Sequence, residues 1–111
     1  MADLRSDFIG IKSPNPFWLA SAPPTDKEYN VRRAYEAGWG GVVWKPLGSE
    51  GPPVREMKAV KRDYPDRALI ASIMVPCEEE AWKAILPHVE ETGADGIELN
   101  FGCPHGMAER G

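Results

Sequence analysis

The sequence predicts an α/β fold that forms part of a (β/α)8 TIM barrel: about four parallel strands and three helices after a short N-terminal hairpin-like lead-in. Three observations carry that expectation. Four short apolar runs of strand length, rich in β-branched or aromatic residues, alternate with stretches whose apolar residues recur at helical spacing. The runs centre on Leu19, Val43, Ile70 and Ile97, which are 24, 27 and 27 residues apart, near the ~31 per unit of an eight-unit barrel of ~250 residues. Polar or small residues stand at the C-terminal ends of the runs, where barrel enzymes keep their chemistry.

From the N-terminus, Leu4 to Pro16 combines Phe8, Ile9 and Ile11 with Gly10 and a Ser13-Pro14-Asn15-Pro16 turn, which reads as a hairpin. Phe17 to Ala20 is the first strand of the repeat. Thr25 and Glu28 then stand at capping-box spacing, Val31, Ala34 and Tyr35 share a helical face, and Gly38 falls where a C-terminal cap belongs. Gly41 to Lys45 is the second strand. Met57, Val60 and Tyr64 mark a helical face of about ten residues, closed by Pro65. Ala68 to Val75 is the third strand. Glu78, Glu79 and Glu80 suit the positive end of a helix dipole, and Trp82, Ile85, Leu86 and Val89 form its apolar stripe before Gly93, with Pro87 bending it. Asp95 to Phe101 is the fourth strand. The same alternation also permits a small open parallel sheet. A dinucleotide fold is disfavoured, because Gly38-Trp39-Gly40-Gly41 precedes a strand instead of following one.

At 111 residues the chain has room for a single domain, read as one unit over 1–111. Thirteen Lys and Arg against seventeen Asp and Glu give a net charge of −4, with no basic run to follow a phosphate backbone, so no nucleic acid partner is expected. No apolar stretch approaches the ~20 residues of a membrane span, and the start lacks a basic segment followed by an apolar core, so no membrane is expected and a cytoplasmic location is. Cys77 and Cys103 are too few for a disulfide framework or a four-thiolate cluster and are expected to be reduced. Cys77, His88, Cys103 and His105 match no common zinc spacing, so no metal is expected. Trp18, Trp39, Trp44 and Tyr35 read as packing groups.

The strand ends present Ala20 and Ser21, then Lys45, then the stretch around Met74, then Asn100 leading into a Gly/Pro-punctuated loop. Period-two alternation puts Ile97, Leu99 and Phe101 on one face and Glu98 and Asn100 on the other, the side of a barrel interior. Val43 and Lys45 share a face by the same parity. Asn100 offers one acceptor and two donors, which suits a lactam edge showing C=O and N–H side by side. Cys103, with an ordinary thiol pKa near ~8.5, is mostly protonated at neutral pH and can donate a proton as well as attack.

Asn100-Phe101-Gly102-Cys103-Pro104-His105-Gly106, together with Leu19-Ala20-Ser21-Ala22-Pro23-Pro24-Thr25 and Val43-Trp44-Lys45, closely resembles the N-terminal part of the flavin-binding barrel of the dihydropyrimidine dehydrogenase family, within the dihydroorotate dehydrogenase-like group. The resemblance runs over essentially the whole chain. It implies that Ala20 and Ser21 lie against FMN, that Lys45 approaches the flavin ring, that Asn100 binds a pyrimidine base, and that Cys103 is the general acid. The implied reaction takes uracil or thymine to the 5,6-dihydropyrimidine, with hydride from FMN to C6 and a proton from the cysteine to C5. It also implies an electron-transfer subunit or domain, with iron-sulfur clusters, FAD and NAD(P) held outside this chain.

Three departures qualify the likeness. Pro46 follows Lys45 where the family has Thr. The loop at 48–54 is short where the family has a long insertion that includes a substrate-contacting Asn. The sequence ends eight residues beyond Cys103, before the later strands with their flavin-phosphate site and second lysine. The expectation is therefore a fragment without activity by itself. Two alternatives stand beside it: a relative of the tRNA dihydrouridine synthases, which also carry an Asn-x-Gly-Cys-Pro motif, and a non-catalytic half-barrel that self-associates as a homo-oligomer through its open edges.

Overall fold

The computed structural model describes residues 2–48 and 50–101. It opens with an antiparallel hairpin of β1 (Ser6–Phe8) and β2 (Ile11–Ser13). Phe8 pairs with Ile11, so Ile9 and Gly10 alone make the turn, with φ of 48° and 89°. A two-residue turn with both φ positive matches the twist of the flanking strands. Asp7 Oδ1 accepts the Gly10 N–H at 2.8 Å and closes it.

The repeat follows as β3 (Trp18–Leu19), α1 (Glu28–Glu36), β4 (Gly41–Leu47), α2 (Val54–Asp63), β5 (Ala68–Ile73), α3 (Glu79–Glu91) and β6 (Gly96–Leu99). The four strands form one parallel sheet in the order β3-β4-β5-β6. Each helix carries the chain to the next strand on the same side, and the order never reverses. Doubly wound sheets reverse and cover both faces with helices. Here Val42, Trp44, Leu69, Ala71 and Ile73 pack with Val31, Tyr35, Met57, Val60, Ile85 and Val89 from all three helices in one core. The opposite parity, Val43, Ile70 and Glu98, faces the hairpin. One helical layer, a sequential parallel sheet and a hairpin under its other face are the build of a partial barrel, which sets the open-sheet alternative aside.

Helix-face spacing on its own locates the buried residues of α1 and α2. Full burial of Met57, Val60 and Leu69 contributes roughly 1.5–3 kcal/mol each. Gly38, at φ 107°, ends α1 as expected, its N–H donating to Tyr35 O at 3.0 Å. The capping box does not form. Thr25 closes a 3-10 turn over Pro23–Thr25, its hydroxyl donating to Ala22 O at 3.1 Å and accepting the Ala22 N–H at 3.2 Å. Two prolines favour that tight turn, and α1 starts three residues later behind Lys27. Leu86 is exposed, outside the stripe to which its spacing assigned it.

The N-terminal ends of the strands are stitched together. Asp95 Oδ2 accepts from Leu69 N–H at 2.9 Å and from Lys61 Nζ at 2.7 Å, and Lys61 also donates to Arg67 O at 2.7 Å. The Tyr35 hydroxyl, fully buried, donates to Ala68 O at 2.6 Å. Burial pushes that phenol well above its ordinary value, with the Asp95 charge adding to the effect.

Candidate functional site

With the N-terminal rim given to these contacts, the described side chains that the sequence assigns to a site stand at the opposite, C-terminal ends of the strands. Trp18 anchors the concave face. A Cβ at Gly41 would sit 2.8 Å from its ring, so only glycine lets the indole lie across β4. The Trp18 Nε1–H donates to Ser13 Oγ at 3.0 Å, and Phe8 meets the ring edge-on at 5.9 Å between centroids. The hairpin is thereby fastened across the concave face, leaving a groove of about 480 Å³ lined by Phe8, Ile11, Trp18, Val43, Ile70 and Glu98.

Above the groove the chain leaves β3 through Ala20, exposed, and Ser21, half-buried, and is turned away at once by the 3-10 turn. In β4 the register slips: Trp44 pairs with Ala71 and Leu47 with Ile73, three residues advancing against two. A bulge at Lys45-Pro46 follows, and Lys45 emerges exposed. Ser72 of β5 is fully buried on the concave side, paired with Glu98 of β6. Asn100 lies just past β6, half-buried, its N–H donating to Ile73 O at 2.9 Å so that the ladder continues one residue beyond the strand.

Glu98 organises this rim. Its Oε1 accepts from Ser72 Oγ at 2.7 Å and from Ser21 Oγ at 3.3 Å. Ser21 follows β3 and Glu98 lies on β6, the two outer strands of the sheet, so the contact spans the full width of the sheet. Only a sheet curved toward its concave side brings them together. The sequence places Glu98 on that face by parity but assigns it no role; its signal is a lone carboxylate between Ile97 and Leu99.

Of the expected site residues, Ser21 and Asn100 stand at the rim on the outer strands and Lys45 emerges between them on β4. The structure joins Ser21 to Glu98; Lys45 opens toward solvent. Cys103, assigned as the acid, and His105 lie outside the described residues, as does most of the Asn100–Gly106 motif. Cys77 and His88 are both exposed. On and just past β6 the apolar residues are the exposed ones: Ile97, Leu99 and Phe101 lie on the helix side, where Trp82 of α3 meets the Phe101 ring edge-on at 6.1 Å between centroids. The rim thus offers an exposed alanine, a serine hydroxyl and, on the neighbouring strand, an exposed ammonium, groups that would suit a planar ring. No described helix is long and apolar enough to cross a membrane.

No family model matches the chain. It is 33% identical, over 97% of its length, to the chloroplastic dihydropyrimidine dehydrogenase (NADP(+)) of Arabidopsis thaliana, of which it covers 35%. It is 36% identical, over 92% of its length, to the PreA subunit of the NAD-dependent dihydropyrimidine dehydrogenase of Escherichia coli, covering 33%. The catalytic subunit of dihydroorotate dehydrogenase B (NAD(+)) from Thermoplasma volcanium is 30% identical over 95% of the chain, which covers 43% of it. The chain thus spans about a third of the dihydropyrimidine dehydrogenases it matches. The Arabidopsis alignment runs to 148 positions on a chain of 111 residues, so the plant enzyme carries residues within the shared span that this chain lacks.

Proposed function

We propose that this chain, homologous over about a third of their length to the dihydropyrimidine dehydrogenases, is part of the FMN-binding barrel of a pyrimidine-reducing oxidoreductase. The observation that carries the reading is the C-terminal rim, where Ser21, Lys45 and Asn100 stand at the ends of three strands above a curved parallel sheet. In this reading Ala20 and Ser21 lie against FMN, and the Lys45 ammonium stabilises negative charge on the ring. Asn100 holds the lactam edge of uracil or thymine, its amide donating to the carbonyl and accepting from the ring N–H. Bound FMN supplies the hydride that goes to C6. The Cys103 thiol gives its proton to C5, which completes the 5,6-dihydropyrimidine.

The domain is a single partial barrel over 1–111, and the relatives' additional residues fall at the shortened loop 48–54. The long alignment supports that placement, because β4 ends at Leu47 and α2 begins at Val54, leaving six residues between them. The base-contacting group of that insertion is lacking at the short loop, so in this reading the chain by itself does not reduce pyrimidines. Electrons reach the flavin from a separate subunit or domain carrying iron-sulfur clusters, FAD and NAD(P); the Escherichia coli relative, named as a subunit, supports that division.

Titrating FMN with the purified chain and following flavin fluorescence tests the reading. Saturable quenching is expected, weakened about tenfold by Lys45→Met, the equivalent of ~1.4 kcal/mol. Absence of saturable binding, or equal binding by the variant, would refute it.

A further inference from the structure

Ser21 and Ser72 both place their hydroxyl oxygens within hydrogen-bond reach of one carboxylate oxygen, Oε1 of Glu98, at 3.3 and 2.7 Å. A carboxylate only accepts, so each serine must spend its single proton on it. This has two consequences. Ser21 Oγ is left with lone pairs alone, so toward the rim it accepts and does not donate. The ends of the first and last strands of the sheet are also tied at a set spacing, across the two strands β4 and β5 that lie between them.

From this geometry we infer that Glu98 is a positioning residue: it clamps the end of β3 to β6 and fixes the Ser21 hydroxyl as an acceptor for a ligand N–H at the rim. The inference extends the proposed flavin and pyrimidine site, since both ligands present ring N–H groups. A neutral glutamine keeps an acceptor oxygen at the same reach, whereas alanine removes it and leaves the buried Ser72 hydroxyl without its partner.

The test has a flavin-free arm and a flavin arm, both on the full chain. In urea unfolding, a double-mutant cycle of Ser21→Ala and Glu98→Ala is expected to show coupling of about fivefold in the unfolding equilibrium constant, with Glu98→Gln close to the parent. In FMN titration, Glu98→Ala and Ser21→Ala are each expected to weaken binding about fivefold, and Glu98→Gln by less than about twofold. Additive unfolding effects overturn the clamp. So does FMN affinity unchanged in Glu98→Ala, or Glu98→Gln as damaging as Glu98→Ala. If Glu98→Ala does not fold, Ser21→Ala at its half-exposed strand end decides by its FMN affinity against the parent. A parent chain that binds no FMN refutes the flavin reading, and the unfolding cycle then decides the clamp by itself, with Glu98→Leu replacing Glu98→Ala where the alanine variant does not fold.

Discussion

Replacing Tyr35 with Phe removes one oxygen from a fully buried side chain and leaves the ring in place against Tyr64, 5.1 Å away between centroids. The lost bond is the 2.6 Å donation to Ala68 O at the start of β5, where the sheet enters the core. A net hydrogen bond contributes about 0.5–1.5 kcal/mol, and the register that pairs Ala68 with Gly41 leaves Ala68 O its ladder partner on β4, so the expected loss at pH 7 is about 1 kcal/mol. At ~4–8 °C per kcal/mol for a chain of this size, the melting temperature falls by roughly 4–8 °C. The same substitution has a signature in alkali. Burial raises the Tyr35 pKa above its unfolded value of 10.0, so the folded state holds the proton more tightly. Stability from this group is complete below that value and is lost as pH rises above 10 toward the raised folded value. Urea unfolding followed by tryptophan fluorescence, at pH 7 and from pH 9 to 11, measures both effects. The gap between parent and variant should close as pH rises, with the urea slope unchanged. A loss under about 0.5 kcal/mol at pH 7, or a gap that widens in alkali, would refute the reasoning.

Two further outcomes follow from local geometry. Ile9 holds φ at 48° while 83% exposed, a left-handed conformation that β-branched residues resist, so Ile9→Asn should stabilise the chain by about 0.5–1 kcal/mol in urea unfolding; a loss of stability would mean that the turn is not strained. Asp63 accepts from Arg62 Nε at 3.1 Å and from Arg32 Nη1 at 2.9 Å, and these bonds hold its carboxyl below the ordinary 3.8. Its contribution is present above that value and is lost as pH falls through the depressed folded value, so the parent should lose more stability than Asp63→Asn in acid unfolding between about pH 5 and pH 2. Parallel acid profiles for the two proteins would show that the pair is solvent-screened.

Much of the fold was legible because it is written in local periodicity. Val31, Ala34 and Tyr35, or Met57 and Val60, face the core at helical spacing wherever the helix is put, and Gly38 stops a helix by its own backbone freedom. Where two local readings compete, the sequence is less decisive. Thr25 and Glu28 satisfy a capping box on paper, yet Pro23 and Pro24 tighten the chain into a 3-10 turn that takes the threonine hydroxyl first. The bulge at Lys45-Pro46 was likewise not visible, because register is a property of two strands and β5 lies more than twenty residues away. The relatives match the family likeness carried by the strand-end motifs over most of the chain.

The sequence by itself determined the alternation of strands and helices, the faces the helices bury, the hairpin at the start, and the family resemblance. Each depends on residues within a few positions of one another. Only the tertiary structure decided that the helices share one face, that β4 slips its register, and that Glu98 meets Ser21. Those two side chains are 77 positions apart and on opposite edges of the sheet, so their contact depends on curvature accumulated over four strands, which no local pattern encodes.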